Sequence, residues 1–264
     1  MVELTRVIRF CIPFADGALP EDRHNTFAGT PAMHNLGAFY ELQLRCRGEP
    51  DPVTGYLADI GDMDETVRRH GIPLIHDAVR TRPATPASHV LRAAFERVRD
   101  TLVAPVQSLS WRLTPTYTVT VEADAMHRFE MSQQFSFAAA HRLHSEQLSD
   151  DENRRVFGKC NNRHGHGHNY KLEVTVSADF GGENEPGFSL LDLERIVDAT
   201  VVRRFDHTHL NLDLEEFNGR VPSVEHIAQV IHDLLVEPIR DAGAEIARVT
   251  VWETEKTSCT YPVG

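Results

Sequence analysis

The sequence predicts an α+β protein in which one set of elements occurs twice, in the order strand, strand, helix, helix, strand, strand. Segments that alternate between apolar and polar residues, as half-buried strands do, flank segments whose apolar residues recur at helical spacing. The strand patterns of the two halves also match in sequence, residues 40–44 (YELQL) with residues 170–174 (YKLEV). These observations indicate a duplicated unit.

The second half of the chain, residues 125–264, shows this order most clearly. We expect its elements in chain order as strands at 131–137 and 168–178, helices at 192–204 and 223–237, and strands at 246–253 and 257–262. The second helix has an apolar stripe, formed by Ile227, Val230, Ile231, Leu234 and Leu235. Such a stripe is typical of a helix that packs on one side.

The first half, residues 1–124, repeats the order. The expected elements are strands at 4–10 and 40–44, a helix opened by 56–60 (YLADI), a helix after Thr85-Pro86, and two strands within 107–123. The segment 56–60 parallels 189–193 (SLLDL), which aligns Asp59 with Asp192. We therefore place a domain boundary near residue 125.

Composition excludes several classes of protein. The chain has 264 residues, 41% of them hydrophobic, enough for one or two domains with buried cores. A formal net charge of −12 argues against nucleic-acid and anionic-membrane partners. No apolar run is long enough to span a membrane, and no export signal is visible. Because the four cysteines show no disulfide pattern, we expect a reduced, cytoplasmic protein.

Three histidines predict a metal site. His166 and His168 share the parity of the apolar residues in 170–176, and His141 shares the parity of Phe135 and Phe137. All three imidazoles should therefore leave neighbouring strands on the covered side. Zinc favours neutral imidazole nitrogen, and a catalytic zinc has three protein ligands and one open position. We expect His141, His166 and His168 to bind Zn²⁺.

The run 164–168 (HGHGH) leaves two questions open. Such a run is also typical of a solvated, His-rich tract that binds metal adventitiously. His164 and His166 have the same spacing as His166 and His168, so either pair fits the pattern. Gly165 and Gly167 remove side-chain bulk beside the ligands and allow unusual backbone angles.

Cys160 is a candidate catalytic base, since it lies near the predicted metal site, Lys159 and Arg163. Neighbouring cations favour the thiolate, which is the reactive form. A buried inert thiol and a fourth zinc ligand are the alternatives. The polar, flexible flanking residues favour the catalytic role.

Four segments, in this order along the chain, resemble the 6-pyruvoyl-tetrahydropterin synthase family: 135–143 (FSFAAAHRL), 157–170 (FGKCNNRHGHGHNY), 205–213 (FDHTHLNLD) and 251–258 (VWETEKTS). The resemblance covers nearly all of residues 130–264. It implies the tunnelling fold, an antiparallel sheet with two helices on one face (ββααββ), here in two tandem copies. It also implies conversion of 7,8-dihydroneopterin triphosphate to 6-pyruvoyl-tetrahydropterin with loss of triphosphate.

The resemblance gives the remaining site residues their roles. Asp206 and His207 match a carboxylate and imidazole pair that exchanges protons with the substrate, with His209 as an alternative imidazole. Glu253 matches the glutamate that anchors the pterin ring, since a carboxylate accepts two hydrogen bonds from a guanidine-like edge. The same resemblance assigns zinc to His141, His166 and His168, and the catalytic cysteine to Cys160.

The triphosphate group needs local cations because the chain as a whole is acidic. The cationic side chains nearest to these motifs are Arg142, Lys159 and Arg163.

Two other functions fit the same residues. One is a 6-carboxytetrahydropterin synthase, which releases a two-carbon fragment from the same substrate on the path to queuosine. Its members usually place the first ligand four residues after the cysteine, where His164 stands, whereas the spacing from Cys160 to His166 favours the pyruvoyl enzyme. The other is a non-catalytic protein that binds pterin or zinc.

The first half lacks the site. Aligning Tyr40 with Tyr170 puts Leu36, Ala38 and Thr30 at the positions of His166, His168 and Cys160, while Thr114 or a neighbour replaces Glu253. We therefore interpret residues 1–124 as a degenerate, structural copy and residues 125–264 as the zinc-binding catalytic domain. By analogy with rings of domains in the family, the resemblance implies a homo-oligomer, a trimer of two-domain chains.

Overall fold

A computed structural model of the chain describes residues 1–14, 36–182 and 187–263. The chain forms two compact units, Met1–Met131 with Ala178–Gly187, and Ser132–Ser177 with Phe188–Gly264. Each unit combines antiparallel strands with helices. The predicted α+β class with two tandem domains is therefore confirmed. The division of roles between residues 1–124 and 125–264 stays a prediction. None of the described helices combines the length and the apolar character that a membrane span requires.

Four of the described strands lie wholly within the first unit, each antiparallel to the next: β1 (Val2–Pro13), β2 (Gly37–Gly48), β3 (Val106–Thr114) and β4 (Tyr117–Glu122). Its helices are α1 (Ile60–Thr66), α2 (Ile72–Thr81) and α3 (Ala87–Thr101). Helix α3 packs against β3 and β4, with Leu91, Phe95 and Val98 fully buried. Apolar side chains on α3 therefore form part of this unit's core.

The second unit repeats this order with additions. Its strands are β5 (Arg128–His141), β6 (His166–Asp179), β7 (Thr208–His209), β8 (Ala244–Thr254) and β9 (Thr257–Tyr261). The order across the sheet is β5, β6, β8, β9, and β7 pairs in parallel with β5. Its helices are α4 (Asp150–Phe157), α5 (Leu190–Val197), α6 (Arg203–Phe205), α7 (Leu210–Asp213) and α8 (Val224–Asp241). Helix α8 packs against β8 and β9.

The sequence patterns account for this packing. In β6 the four apolar residues Tyr170, Leu172, Val174 and Val176 are fully buried, as the alternation of the strand requires. In α8 the residues Ile227, Val230, Ile231 and Leu235 of the predicted stripe are buried. Both sets face the core of the second unit.

Two irregularities occur at matching places in both units and support the duplication. One π-helical turn, Val67–Gly71, lies between α1 and α2, and another, Asp198–Val202, lies between α5 and α6. The hairpins β3–β4 and β8–β9 shift register just before Thr114 and Thr254. Because the two shifts match, the residue of the first unit that corresponds to Glu253 is Leu113, which directly precedes Thr114.

The structure corrects one detail of the predicted repeat. The residue that caps the N-terminus of α1 is Asp59, whereas Ser189 caps α5 and Asp192 belongs to its first turn. Asp59 is thus the counterpart of Ser189, and the expected alignment with Asp192 was wrong by three residues. Aspartate and serine side chains accept backbone N–H groups about equally well at the start of a helix. Aligning the two aspartates therefore paired a capping residue with a residue of the first helical turn.

Candidate metal centre and active site

Three imidazoles meet at one end of the second unit, His141 from the end of β5 and His166 and His168 from the start of β6. One nitrogen from each lies within 4.8 Å of the others. The Nε2 atoms of His141 and His166 are 3.2 Å apart. This is the group that the strand parity predicted to face one side, and its role as a metal site stays a prediction.

His141 is held in one tautomer. Its side chain is fully buried, and its Nδ1–H donates to the Pro222 carbonyl oxygen at 2.7 Å. Because a carbonyl only accepts, Nδ1 carries the proton and Nε2 presents a lone pair to the other two histidines. Burial lowers the pKa of His141 to about 4, so the ring is neutral at pH 7, the form that a metal ion requires.

The donor set fits a borderline metal such as zinc. The buried Nε2 of His168 and Nδ1 of His166 have no hydrogen-bond partner among the described residues. A buried polar nitrogen without a partner is costly, and a metal ion would satisfy the one at His168. Three neutral nitrogens can hold such an ion and leave a coordination position for a substrate.

Gly165 is required by the backbone at the start of β6. Its φ is +70°, and a Cβ atom there would lie 2.7 Å from Nε2 of His209 and 2.9 Å from the His141 carbonyl oxygen. Only glycine tolerates both conditions. At Gly167 a Cβ atom would make an ordinary contact, 3.6 Å from the Ala139 oxygen. The two glycines are therefore not equivalent, although the sequence pattern treated them alike.

Glu253 faces the histidines from β8. Its Oε1 lies 3.3 Å from Nε2 of His141 and 3.7 Å from Nε2 of His168. The residue sits where the β8–β9 pairing shifts register, between Trp252 and Thr254. Glu253 follows the buried Val249 and Val251 at two-residue spacing, so the alternation of the strand directs its carboxylate to the side of the imidazoles.

Cys160 lies on a single 3₁₀ turn, Gly158–Asn161, and its side chain is partly buried. Its carbonyl oxygen accepts a hydrogen bond from the Leu143 N–H at 2.9 Å, which ties this turn to the segment just after β5. Because Leu143 follows His141 by two residues, this hydrogen bond places the Cys160 turn next to the strand end that carries His141.

Asp206 and His207 form a hydrogen-bonded pair fixed to β5. Oδ1 of Asp206 accepts the Ala138 N–H at 2.8 Å, and Oδ2 is 2.7 Å from Nδ1 of His207. These hydrogen bonds lower the pKa of Asp206. His207 has a φ of +60°, unusual for a residue with a side chain, and its N–H donates to the Ala138 oxygen at 2.6 Å.

A cleft of about 580 Å³ lies beside His207, and of the three clustered histidines His168 lines it. Its lining residues include His168, His207 and His209. The side chain of His207 is 83% exposed, so its Nε2 is open to the cleft. The structure therefore places Glu253 beside the histidines and His207 at a cleft that His168 also lines. Cys160 is linked to the end of β5 through its backbone hydrogen bond to Leu143.

The structure separates His164 from the other histidines of the run, and it shows what occupies the matching strand of the first unit. His164 is exposed in the turn before β6 and lies outside the three-histidine cluster. In the first unit the inward residues of β1 are Ile8, Phe10 and Ile12, all buried and apolar. Within residues 1–14, 36–182 and 187–263, the described histidines, cysteines and carboxylates form no second cluster of this kind. Thr30, aligned with Cys160, lies outside the described residues.

Comparison with known proteins gives the family. The family described as 6-pyruvoyl tetrahydropterin synthase matches residues 130–263. Human 6-pyruvoyl tetrahydrobiopterin synthase is 37% identical over 132 residues, 50% of this chain and 90% of the human protein. The 6-carboxy-5,6,7,8-tetrahydropterin synthase of Haemophilus influenzae is 28% identical over 153 residues, 50% of this chain and 98% of that protein.

A solved structure, that of Caenorhabditis elegans 6-pyruvoyl tetrahydropterin synthase, has 34% identity and a TM-score of 0.45, covering 52% of this chain and 96% of that one. The family match extends over half of the chain, and the human relative is covered over 90% of its length. This chain is a lyase-type enzyme and belongs to the 6-pyruvoyl tetrahydropterin synthase family.

Proposed function

We propose that the chain is a zinc-dependent lyase that converts 7,8-dihydroneopterin triphosphate to 6-pyruvoyl-tetrahydropterin and releases triphosphate. The observation that supports this most strongly is the group of three imidazole nitrogens within 4.8 Å of one another, with a carboxylate at 3.3 Å. The 37% identity to a 6-pyruvoyl tetrahydrobiopterin synthase supports the same reaction.

His141, His166 and His168 would hold the zinc ion. When bound, zinc supplies a Lewis acid for the hydroxyl groups of the substrate side chain. The protein contributes the preparation of its ligands. The hydrogen bond from His141 to Pro222 fixes the direction of the imidazole, and burial keeps that ring neutral, so little rearrangement is needed on metal binding.

Glu253 would bind the pterin ring. A carboxylate presents two oxygens to the exocyclic amino group and the adjacent ring N–H, a planar donor pair that resembles a guanidine. Since Glu253 lies beside His141 and His168, a ring bound to it would hold the three-carbon side chain at the metal centre. Orientation of this kind lowers the barrier by making the reacting groups neighbours.

Cys160 would remove a proton from a carbon of the substrate side chain. His207, with Nδ1 fixed by Asp206, would accept or return a proton at Nε2. The carboxylate stabilises the protonated imidazole that forms during the transfer. Two proton-transfer groups on different elements match a reaction in which protons move between adjacent carbons while triphosphate leaves.

Product analysis with 7,8-dihydroneopterin triphosphate tests the proposal. We expect inorganic triphosphate and 6-pyruvoyl-tetrahydropterin in equal amounts. Release of acetaldehyde would instead identify a 6-carboxytetrahydropterin synthase, the class of the Haemophilus relative. Binding of substrate without any product would identify a non-catalytic pterin-binding protein.

We also propose a cytoplasmic homo-oligomer, a trimer of two-domain chains. Closed rings with equivalent interfaces are the usual assemblies of such domains. Light scattering should then give three times the chain mass of 29.7 kDa, and the mass of a single chain would contradict this.

A further inference from the structure

A second cleft of about 550 Å³ lies in the same unit and is rich in cationic side chains. Arg142, Arg163 and Arg220 line it, together with His144 and His209. Among the described residues that line it, Glu146 is the one carboxylate. In a chain with a formal net charge of −12, a cleft with this excess of arginine is unusual and predicts an anionic ligand.

The three arginines have no carboxylate partner among the residues that the structure describes. Elsewhere arginines are commonly paired; Asp64, for example, accepts hydrogen bonds from both Arg6 and Arg68. In the cleft, Arg142 donates through Nε and Nη2 to Oδ1 of Asn161 at 3.2 and 3.0 Å, which orients a guanidinium without neutralising it. Arginine so placed is suited to phosphate oxygens, which it binds with paired N–H donors.

The arginine cleft borders the predicted metal centre. His209 lines both this cleft and the one that contains His168 and His207. Val221 also lines the arginine cleft, and the next residue, Pro222, accepts the hydrogen bond from His141. A substrate with its reacting carbons at the metal centre can therefore extend a charged group into the arginine cleft.

We propose that this cleft binds the polyphosphate chain of the substrate and the triphosphate that is released. Several separate guanidinium groups in one cleft favour a chain of phosphates over a single phosphate group. The identity of the substrate rests on the proposed function, whereas the binding of inorganic triphosphate does not depend on it. Of the cations nearest to the sequence motifs, Arg142 and Arg163 line the cleft, Lys159 does not, and Arg220 is an addition from the structure.

Calorimetric titration of the zinc-loaded protein with inorganic triphosphate tests the inference. A variant with both Arg163→Gln and Arg220→Gln should bind about 100-fold more weakly, since each replacement removes a charge-assisted hydrogen bond. The control is Arg155→Gln, an exposed arginine on α4 that does not line the cleft and should leave affinity unchanged. Inorganic phosphate should bind the wild type at least about tenfold more weakly than triphosphate.

Zinc content is measured before and after titration because triphosphate itself binds metal ions. Absence of triphosphate binding, equal affinity in the double variant and the wild type, or equal affinity for phosphate and triphosphate would each overturn the inference. A turnover assay distinguishes failure of this inference from failure of the proposed function. If the wild type forms product but the double variant binds triphosphate as tightly as the wild type, only the inference about the cleft is wrong. If triphosphate binding depends on the arginines but no product forms, the cleft binds triphosphate and the proposed reaction is wrong.

Discussion

At the scale of single residues, Gly165 shows how the backbone determines the histidine run. Its positive φ and its approach to His209 and the His141 oxygen leave no space for a Cβ atom. The neighbouring Gly167 has space for one. Strand parity predicted that His141, His166 and His168 would lie on one side, where the structure groups them. The sequence contained no information on which glycine is indispensable, since that depends on a carbonyl contributed by another strand.

This difference gives a matched pair of variants. Gly165→Ala should lower the free energy of unfolding by about 1–3 kcal/mol, because a residue with a Cβ atom is strained at this φ and collides with the His141 oxygen. It should also reduce zinc content. Gly167→Ala should stay within about 0.5 kcal/mol of wild type. Urea denaturation measures both, and equal effects of the two substitutions would contradict the argument.

The catalytic proposal for Cys160 is tested against a second partly buried thiol, Cys259. Cys160→Ala should lower kcat by about 10²-fold or more, the usual contribution of a proton-transfer group. Zinc content should not change, because the thiol is outside the three-histidine cluster. Cys259→Ala should retain activity. A Cys160→Ala enzyme with wild-type kcat would exclude the assignment, and loss of zinc would make Cys160 a ligand.

The buried imidazole of His141 predicts a pH dependence of stability in the metal-free protein. Its pKa is about 4 when folded, against 6.5 when exposed, so between these values the unfolded chain binds a proton that the folded chain does not. Above pH 6.5 the protonation of His141 does not change the free energy of unfolding. As the pH is lowered from 6.5 to about 4, the free energy of unfolding should decrease by about 3 kcal/mol in total.

Urea denaturation at pH 7.5, 6 and 5 with a chelator present measures this, and His141→Gln is the control. The wild type should lose more stability than the variant as the pH falls. Parallel curves for the two proteins would contradict the buried, neutral state of His141.

At the scale of elements, strands and long helices could be predicted and short connecting elements could not. Strand β6 and helix α8 agree with their apolar periodicity within a few residues. Helix α4 was not expected, because it has almost no buried face; Asn153 is its buried residue. Its existence depends on capping. Ser149 and Glu152 form a reciprocal capping box, a local pattern that hydrophobic periodicity does not contain.

Helix α4 leads directly into the turn that carries Cys160, so its stability should affect the site. Ser149→Ala should lower the free energy of unfolding by about 1 kcal/mol, through loss of the acceptor for the Glu152 N–H. Ser258→Ala, at an exposed position in β9, should have little effect. Thermal unfolding of the two variants measures this, and an equal melting temperature would show that the capping box does not stabilise the fold.

At the scale of the whole molecule, the duplication is visible in sequence, but the loss of function in one copy is a matter of individual side chains. Apolar Ile8, Phe10 and Ile12 fill the inward face of β1, and Leu113 takes the place of Glu253 at the bulge. The sequence predicted the missing histidines by alignment. It left the Glu253 counterpart open because a bulge changes the register by one residue.

Zinc content per chain tests the central claim most directly, since three imidazoles occur in the second unit and the described part of the first has no such group. We predict about one zinc ion per chain in the purified wild type, because three-histidine sites bind this metal tightly, and almost none in His168→Ala. A wild type without any transition metal, or a His168→Ala variant with undiminished zinc, would contradict the account.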